Sequence, residues 1–311
     1  MTVILRVLAA AAGALSWRTL GVVGAAVGWF AGSVLRIRRT HVEKAMLVAG
    51  VRDVRVETLA MYRALGTSAL EILHLAARGA EAARHARIDR ASEVRWQEAL
   101  ARGRGVVVAA SHTGNWDLAA CAVARDVELL VVTKHLRVQS LDAFWQSTRA
   151  SMGVHLAEAH GAMARARAVL GRGGAVAMMI DQAPASASHA IEAEFLGRSA
   201  LVDRAPAALA AACKAPIVVA ASRREPNGDH TIFVLDVIEP PVRPSRAWVT
   251  LATEAATRAL DRFVRVHPSQ WLWLHRRWKR LDRPGRRATL ASSCPQGPTP
   301  SSSPAEPSKA A

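Results

Sequence analysis

Residues 106–110, Val-Val-Val-Ala-Ala, are a short β-branched apolar run, and the chain leaves it through Ser111-His112-Thr113-Gly114-Asn115-Trp116-Asp117. Length and β-branching make the run a buried strand, and Asn115–Ala120 reads as a helix start with Asn or Asp near its positive end. A buried strand that turns directly into a helix is the repeating unit of an α/β fold. The turn also carries chemistry. On a regular helix His112 and Asp117, five residues apart, would lie on the order of 140° apart around the axis, so only a strand–turn–helix path lets them meet. An imidazole with a carboxylate on its near nitrogen is a general base whose tautomer is fixed and whose cation is stabilised. Open α/β sheets place their ligands at this end of a strand. The same spacing also fits a capped structural turn, and the residues alone leave both readings open. His189 and Glu194 repeat the spacing, but they follow the loop 181–188 and fall on an alternating stretch, Ile191–Phe195, that reads as an edge strand. We treat that pair as a decoy.

The rest of the chain alternates. Val54–Arg78 is an amphipathic helix with Leu59, Tyr62, Leu65, Leu70 and Leu73 as inward positions, and the Ala/Arg-rich stretch to Arg104 continues helical. Glu128–Thr133 and Ala175–Ile180 read as buried strands, the second ending at Asp181, so that the strand ends at Ser111 and Asp181 line one crevice. Leu141–Met152, Met163–Leu170, Ala205–Lys214 and Arg246–Val266 are helical. Ile217–Ser222 and Thr231–Ile238 bracket Pro226-Asn227-Gly228-Asp229, a hairpin signal. The expected fold is therefore α/β, a mixed central sheet flanked by helices. From Pro284 the chain is rich in Pro, Ser and Ala and is expected to be disordered.

At 311 residues and 51% hydrophobic content the chain can bury one sizeable α/β domain. Residues 7–17 are apolar, Arg18 interrupts, and Thr19–Leu35 adds an uncharged run ending against Arg36, Arg38 and Arg39. That run is barely long enough to span a bilayer. The second run and its basic flank favour an uncleaved N-terminal membrane anchor over a signal peptide, and the excess of Lys and Arg beyond it places the body of the protein on the cytoplasmic face of the inner membrane. A helix lying in the interface is the alternative. The expected division is anchor 1–39, catalytic domain 40–282 and tail 283–311. A formal charge of +16 calls for an anionic partner. With no zinc-ligand spacing and no aromatic-basic single-strand motif, nucleic acid is disfavoured, leaving anionic lipid or an acidic carrier protein. Trp271, Trp273 and Trp278 among Arg276, Arg277, Lys279 and Arg280 suit an interfacial belt; a core-packing tryptophan pair is the alternative. Cys121, Cys213 and Cys294 show neither pairing nor metal spacing and imply a reducing compartment and no metal site.

Ser111–Asp117 resembles the first motif of the bacterial lipid A late acyltransferases, lauroyl and myristoyl transferases within the His-x4-acid glycerolipid and lysophospholipid acyltransferase superfamily. Ser269–Lys279, with Trp271-Leu272-Trp273-Leu274-His275-Arg276-Arg277, resembles the closing block of that family. Met179–Gln182, Glu194–Arg198, Pro206–Ala210 and Ala215–Val219 follow in the family's order, and Arg38–Met46 is similar to its first cytoplasmic helix, so the resemblance covers residues 1–282. It departs from the family in having Asp117 where Glu is usual, and in the segment Arg149-Ala150-Ser151-Met152-Gly153, which aligns only loosely. The resemblance implies a membrane-associated O-acyltransferase that moves a fatty acyl group from an acyl thioester, on acyl carrier protein or CoA, to a hydroxyl of a lipid A precursor or related glycolipid. His112 and Asp117 are then the catalytic dyad, and no further cofactor is implied. The N–H groups around Gly114, or Arg149, are candidates to meet the oxyanion. Asn115, Arg149, Asp181, Gln182 and Arg204 are candidates for substrate contact, with turn shaping the other role for Asn115 and an ion pair the other role for Arg204. A phosphoglycolipid, aminolipid or lysophospholipid acceptor, and a catalytically silent adaptor that binds anionic lipid, are the competing readings.

Overall fold

The computed structural model describes residues 2–159, 161–184 and 186–278; the expected tail, 283–311, lies outside them. Seven strands form one sheet in the order β1-β9-β8-β2-β5-β3-β4. Its strands are β1 (Ala86–Ile88), β2 (Val106–Ala110), β3 (Leu129–Thr133), β4 (Val154–Glu158), β5 (Ala175–Met179), β8 (Ile217–Arg224) and β9 (His230–Ile238). All neighbours run parallel except β8 and β9, which form an antiparallel hairpin with a register shift between Val219 and Ala220. The sheet is mixed, as expected. The central strands are buried on both faces, which is why they read as unbroken apolar runs. On one face Val107, Ala109, Leu130, Val176 and Val219 pack under α9 (Ala162–Gly171), α10 (Ala205–Cys213) and α11 (Arg246–Val266). On the other, Val106, Val108, Val131, Ala177 and Val218 face α6 (Arg90–Leu100) and α7 (Trp116–Val123).

Two expectations are corrected. The stretch after Arg78 is not continuously helical: a four-residue helix, α5 (Ala80–Ala83), is followed by β1 and only then by α6. Arg/Ala composition favours helix, but His230 and its neighbours on β9 offer Ala86–Ile88 a free edge to pair with. Strand β4 was not expected, because Val154-His155-Leu156-Ala157-Glu158 is only weakly apolar; it is the opposite edge of the sheet, where polar residues are tolerated. The Ile191–Phe195 edge strand is present as β6 (Ala190–Phe195), but it pairs with β7 (Arg198–Asp203) in a separate two-stranded hairpin.

The N-terminus is a pair of helices, α1 (Thr2–Ala14) and α2 (Trp17–Trp29), the second continued by a π-turn at Phe30–Val34 and, after a 90° bend, by α3 (Arg39–Val48). No single described helix is long and apolar enough to cross a membrane. Both helices of the pair pack on α4 (Val54–Arg78) and not on each other. Gly24, Gly28 and Gly32 repeat every four residues and so share one face, and that face meets Tyr62, Gly66 and Thr67 of α4 at near backbone contact. A Cβ on Gly28 would lie 2.0 Å from the Tyr62 carbonyl oxygen. On α4 itself Tyr62 is buried, but Leu59, Leu65, Leu70 and Leu73 are only half-buried. The deepest positions include Thr58, Thr67, Ser68, Glu71 and His74. This face is polar because it carries bonds to other elements: Thr67 donates to the Gly21 carbonyl, His74 Nδ1 reaches the Ala12 carbonyl at 2.9 Å, and Arg78 donates to the Gly13 carbonyl at 2.7 Å.

The seam gives a paired test. Gly21 sits on the same helix with open space at its Cβ position, so Gly21→Ala should be neutral or stabilising by up to about 1 kcal/mol. Gly28→Ala should cost about 1–3 kcal/mol, the range for overpacking, read as a lower thermal midpoint. Equal midpoints for the two variants would mean that the glycine contact does not hold the helix pair.

Candidate active site

Strand β2 ends at Ala110, and its parallel neighbour β5 ends in register with it, Ala110 opposite Met179. The next residues of each strand therefore emerge side by side, and they bring His112 against Asp181. His112 Nδ1 lies 2.9 Å from Asp181 Oδ1, and the His112 backbone N–H donates to Oδ2 at 2.8 Å. Trp271 Nε1 donates to the same Oδ2 at 2.8 Å. Asp181 is thus a buried carboxylate that accepts three hydrogen bonds, one on Oδ1 and two on Oδ2. Burial alone would raise its pKa, but the charge and hydrogen bonds of His112, with the Trp271 N–H, outweigh burial and bring it to about 2. Burial likewise works against a charge on His112, and Asp181 again outweighs it, so that the imidazole pKa is raised.

The partner that the sequence assigned to His112 lies elsewhere. Asp117, in the first turn of α7, accepts from Arg149 Nε at 2.6 Å and is ion-paired with the same guanidinium through Nη2. No hydrogen bond joins it to His112, although its charge contributes to raising the imidazole pKa. Arg149 projects from α8 (Gln139–Ser151) and lies over the Trp145 ring. Spacing in the sequence could not separate the two carboxylates. Asp181 was visible as a strand end on the same crevice, but sheet order, which sequence reading did not supply, is what makes it the nearer one.

The turn between His112 and α7 is pinned from three sides. Gly114 has φ +55° and an added Cβ would meet Ser222 at 2.8 Å, so only glycine fits. Its N–H donates to the Gln270 carbonyl at 2.8 Å and is therefore not free for an oxyanion, which corrects that assignment. The Leu272 N–H donates to the His112 carbonyl at 3.1 Å. Asn115 caps α7 by accepting from the Leu118 N–H at 3.0 Å and donates to Glu71 Oε2 at 2.9 Å. It shapes the turn and does not reach the cavity described below. Glu71 is itself buried and is bonded by Arg224 and by His230 Nε2 at 3.1 Å. Burial would raise the Glu71 pKa; its His230 and Arg224 contacts outweigh that and hold it at about 2. Burial lowers the His230 pKa, and Arg224 is the permanent cation beside the carboxylate. Sequence reading passed over Glu71 because it falls at a core position of α4, where a carboxylate gives no sign of its partners.

The closing block is interior. Trp271, Trp273 and Trp278 are buried, which corrects the interfacial belt. Arg277, only 1% exposed, donates to the carbonyls of Gln182 and Leu201, and its pKa is lowered by burial to about 10. His275 Nε2 accepts from the Ala183 N–H at 3.0 Å. The block thus grips the loop after Asp181. Gln182 places its amide nitrogen 3.2 Å from His112 Nε2. Arg204 is displaced from the centre: it begins α10 and its guanidinium meets the Ser188 carbonyl. His189 and Glu194 are both exposed and sit in a turn and on β6, apart from the site.

His112, Asp117, Arg149 and Gln182 open onto a cavity of about 590 Å³ that runs between the sheet and α7 toward Trp96 of α6. Its walls are mostly apolar, and Ala110, Ala119, Ala120, Ala177 and Ala220 keep it wide. The size is that of a ligand site. Cys121, buried on α7 behind it, has its thiol pushed up to about 12 by burial and by Asp117, so it is a neutral packing group.

A histidine at a strand end, bonded to a buried carboxylate and lining a mostly apolar cavity, is the arrangement found in the structure. The profile of the bacterial lipid A biosynthesis acyltransferases matches residues 5–280, and the chain belongs to that family. It is an acyltransferase, and the family implies a lipid A-like acceptor. No curated protein sequence matches the chain significantly.

The pH dependence follows from the Asp181 contact. A base must be neutral, so the acid limb of kcat/KM should lie above the ordinary histidine value of about 6.5. Asp181→Asn should move that limb to lower pH and reduce the plateau by roughly 10²–10⁴-fold; an unmoved limb would remove Asp181 from the base. For stability the sign is opposite at the acid side. A carboxylate held at about 2 contributes stability at neutral pH that is lost as pH falls below the ordinary value of about 4.

Proposed function

We propose that the protein transfers a fatty acyl group from an acyl thioester to a hydroxyl of a lipid A precursor or related glycolipid, with His112 as base and Asp181 as its orienting carboxylate. The observation that carries this reading is the His112 imidazole, whose Nδ1 is occupied by Asp181 at 2.9 Å while its ring lines the apolar cavity. With Nδ1 keeping its proton and donating it in a hydrogen bond to the Asp181 carboxylate, Nε2 holds the lone pair. It takes the proton of the acceptor hydroxyl, and the oxygen attacks the thioester carbonyl. The tetrahedral intermediate collapses with loss of the C–S bond, and the imidazolium returns its proton to the thiolate. The Gln182 amide nitrogen lies over the imidazole, 3.2 Å from Nε2 and 3.4 Å from Nδ1, and borders the place where the acceptor hydroxyl would bond. Arg149, held at the cavity wall by Asp117, supplies positive charge for the oxyanion or for an acceptor phosphate. A net charge of +16 suits an acyl carrier protein as donor, with CoA the smaller alternative. We place the catalytic body on the cytoplasmic face of the inner membrane, where such donors are made.

Mass spectrometry of lipid extracts from cells expressing the wild-type chain or His112→Ala, at matched protein levels, tests the reaction. One lipid class should gain an acyl mass with wild type only. If no class differs, the proposed transfer is wrong for the lipids of that host. Chain length is set by the cavity: Ala220→Leu and Ala177→Leu should shift transfer to shorter chains and Trp96→Ala to longer ones. A chain-length profile identical across all three variants would place the acyl chain elsewhere.

A further inference from the structure

Residues 2–42 contain no Asp or Glu and carry Arg6, Arg18, Arg36, Arg38 and Arg39. Within this stretch α2 and the π-turn leave an apolar side uncovered, with Val22 72% exposed and Val23, Val27, Phe30 and Val34 exposed along with it, and on α1 Ile4 and Val7 are 61% and 62% exposed. Exposed apolar surface of this kind on a folded body marks an interaction site. Arg18, Arg36 and Arg38 carry its positive charge, Arg39 being paired with Glu43, and this charge complements an anionic surface.

Geometry decides how a bilayer would meet it. Both ends of α2 are fastened to the same α/β body. At the start, Trp17 donates to the Gly228 carbonyl at 3.1 Å and stacks on His85 with ring centroids 3.9 Å apart. Past the end, Arg38 donates to the Leu274 carbonyl at 3.0 Å, and Tyr62 of α4 donates to the Ile37 carbonyl. A membrane-spanning helix must leave its two ends on opposite sides of the bilayer. The inner face of α2 is also sealed to α4 through Gly24, Gly28 and Gly32. Helix α4 carries Arg55, Glu57, Arg63, Glu71 and Arg78, and carrying it into hydrocarbon would strip these charges of water. Helix α2 with the π-turn has 18 residues, about 27 Å of helix against a core of about 30 Å.

We propose that the outer face of the α1–α2 pair lies in the plane of one leaflet of an anionic bilayer, as a rigid part of the catalytic body, and does not cross it. On α8, Trp145, Gln146 and Arg149 line the catalytic cavity, while Phe144, Ser147 and Thr148 face Arg6 and Ala10 of α1 across an open cleft. One helix, about 10 Å across, therefore separates the embedded pair from the cavity.

The test uses the full chain and vesicles of equal parts phosphatidylglycerol and phosphatidylethanolamine, with phosphatidylcholine vesicles for comparison. Wild type should bind the anionic vesicles more tightly. The double variant V22E/V27E should bind them about a hundredfold less tightly, with thermal midpoint and activity on detergent-dispersed substrate unchanged; undiminished binding overturns the proposal. Topology is read separately, in chains lacking the native cysteines. Arg18→Cys and Arg36→Cys, added from outside to sealed vesicles, should react equally with an impermeant maleimide. Protection of one of them until detergent is added means a spanning helix and overturns the in-plane arrangement. Sedimentation as a wild-type dimer that V22E/V27E makes monomeric would assign the face to a second copy of the chain instead.

Discussion

The Asp181 carboxylate is the point where the separate parts of the molecule meet. Its two oxygens accept from the His112 ring, the His112 main chain and the Trp271 indole, and so join the end of β2, the end of β5 and the closing block. A buried carboxylate of this kind is stable only when its hydrogen bonds are complete. Completing them fixes the His112 rotamer and tautomer at the same time, so orientation of the base and stability of the fold come from the same contacts. The burial of Trp271 and Arg277 follows from this. The former closes the carboxylate's hydrogen-bond set, and the latter holds the Gln182 carbonyl and the neighbouring β7.

A second buried carboxylate supports the turn from the opposite side. Glu71 joins Asn115, Arg224 and His230, linking α4, the catalytic turn and the β8–β9 hairpin. Helix α4 also carries the N-terminal helix pair, α2 through the glycine seam. The segment that looks like a detachable anchor in the sequence is therefore packed, through one helix, against the elements that position His112. The two carboxylates differ in how they are balanced. Glu71 has the permanent cation Arg224, whereas Asp181 faces a histidine, the side chain whose charge can change near neutral pH. That difference suits a support in the first case and the proposed base in the second.

Elements with strong periodicity were legible down to their ends: Val54–Arg78 and Arg246–Val266 are the helices α4 and α11. Strands β1 and β4 were not, because each is a short edge strand whose identity rests on a distant partner, β9 and β3 respectively. The same distinction runs through the site. His112, Gly114 and Asn115 could be placed on a turn from local sequence. The choice between Asp117 and Asp181 could not, since it depends on β2 and β5 being adjacent, 69 residues apart in the chain. The tryptophans of the closing block misled for a related reason. Interleaved aromatic and basic residues look alike whether they lie at a lipid surface or, as with Trp271 and Arg277, bury their polar ends on specific acceptors.

The His-x4-acid spacing still has physical content when its two members do not touch. Asp117 raises the His112 pKa through its charge, and Arg149 lowers it. Bound to each other, the two act on the imidazole as a nearly neutral pair. The helix N-terminus that carries Asp117 favours a negative charge there, and the paired Arg149 is held at the cavity wall rather than drawn to Asp181. Removing the carboxylate would leave an uncompensated guanidinium beside the imidazole and disfavour the cation that the proposed mechanism requires of it. In that mechanism the motif offsets the charge of Arg149, while the bond that orients the imidazole comes from Asp181 on the neighbouring strand.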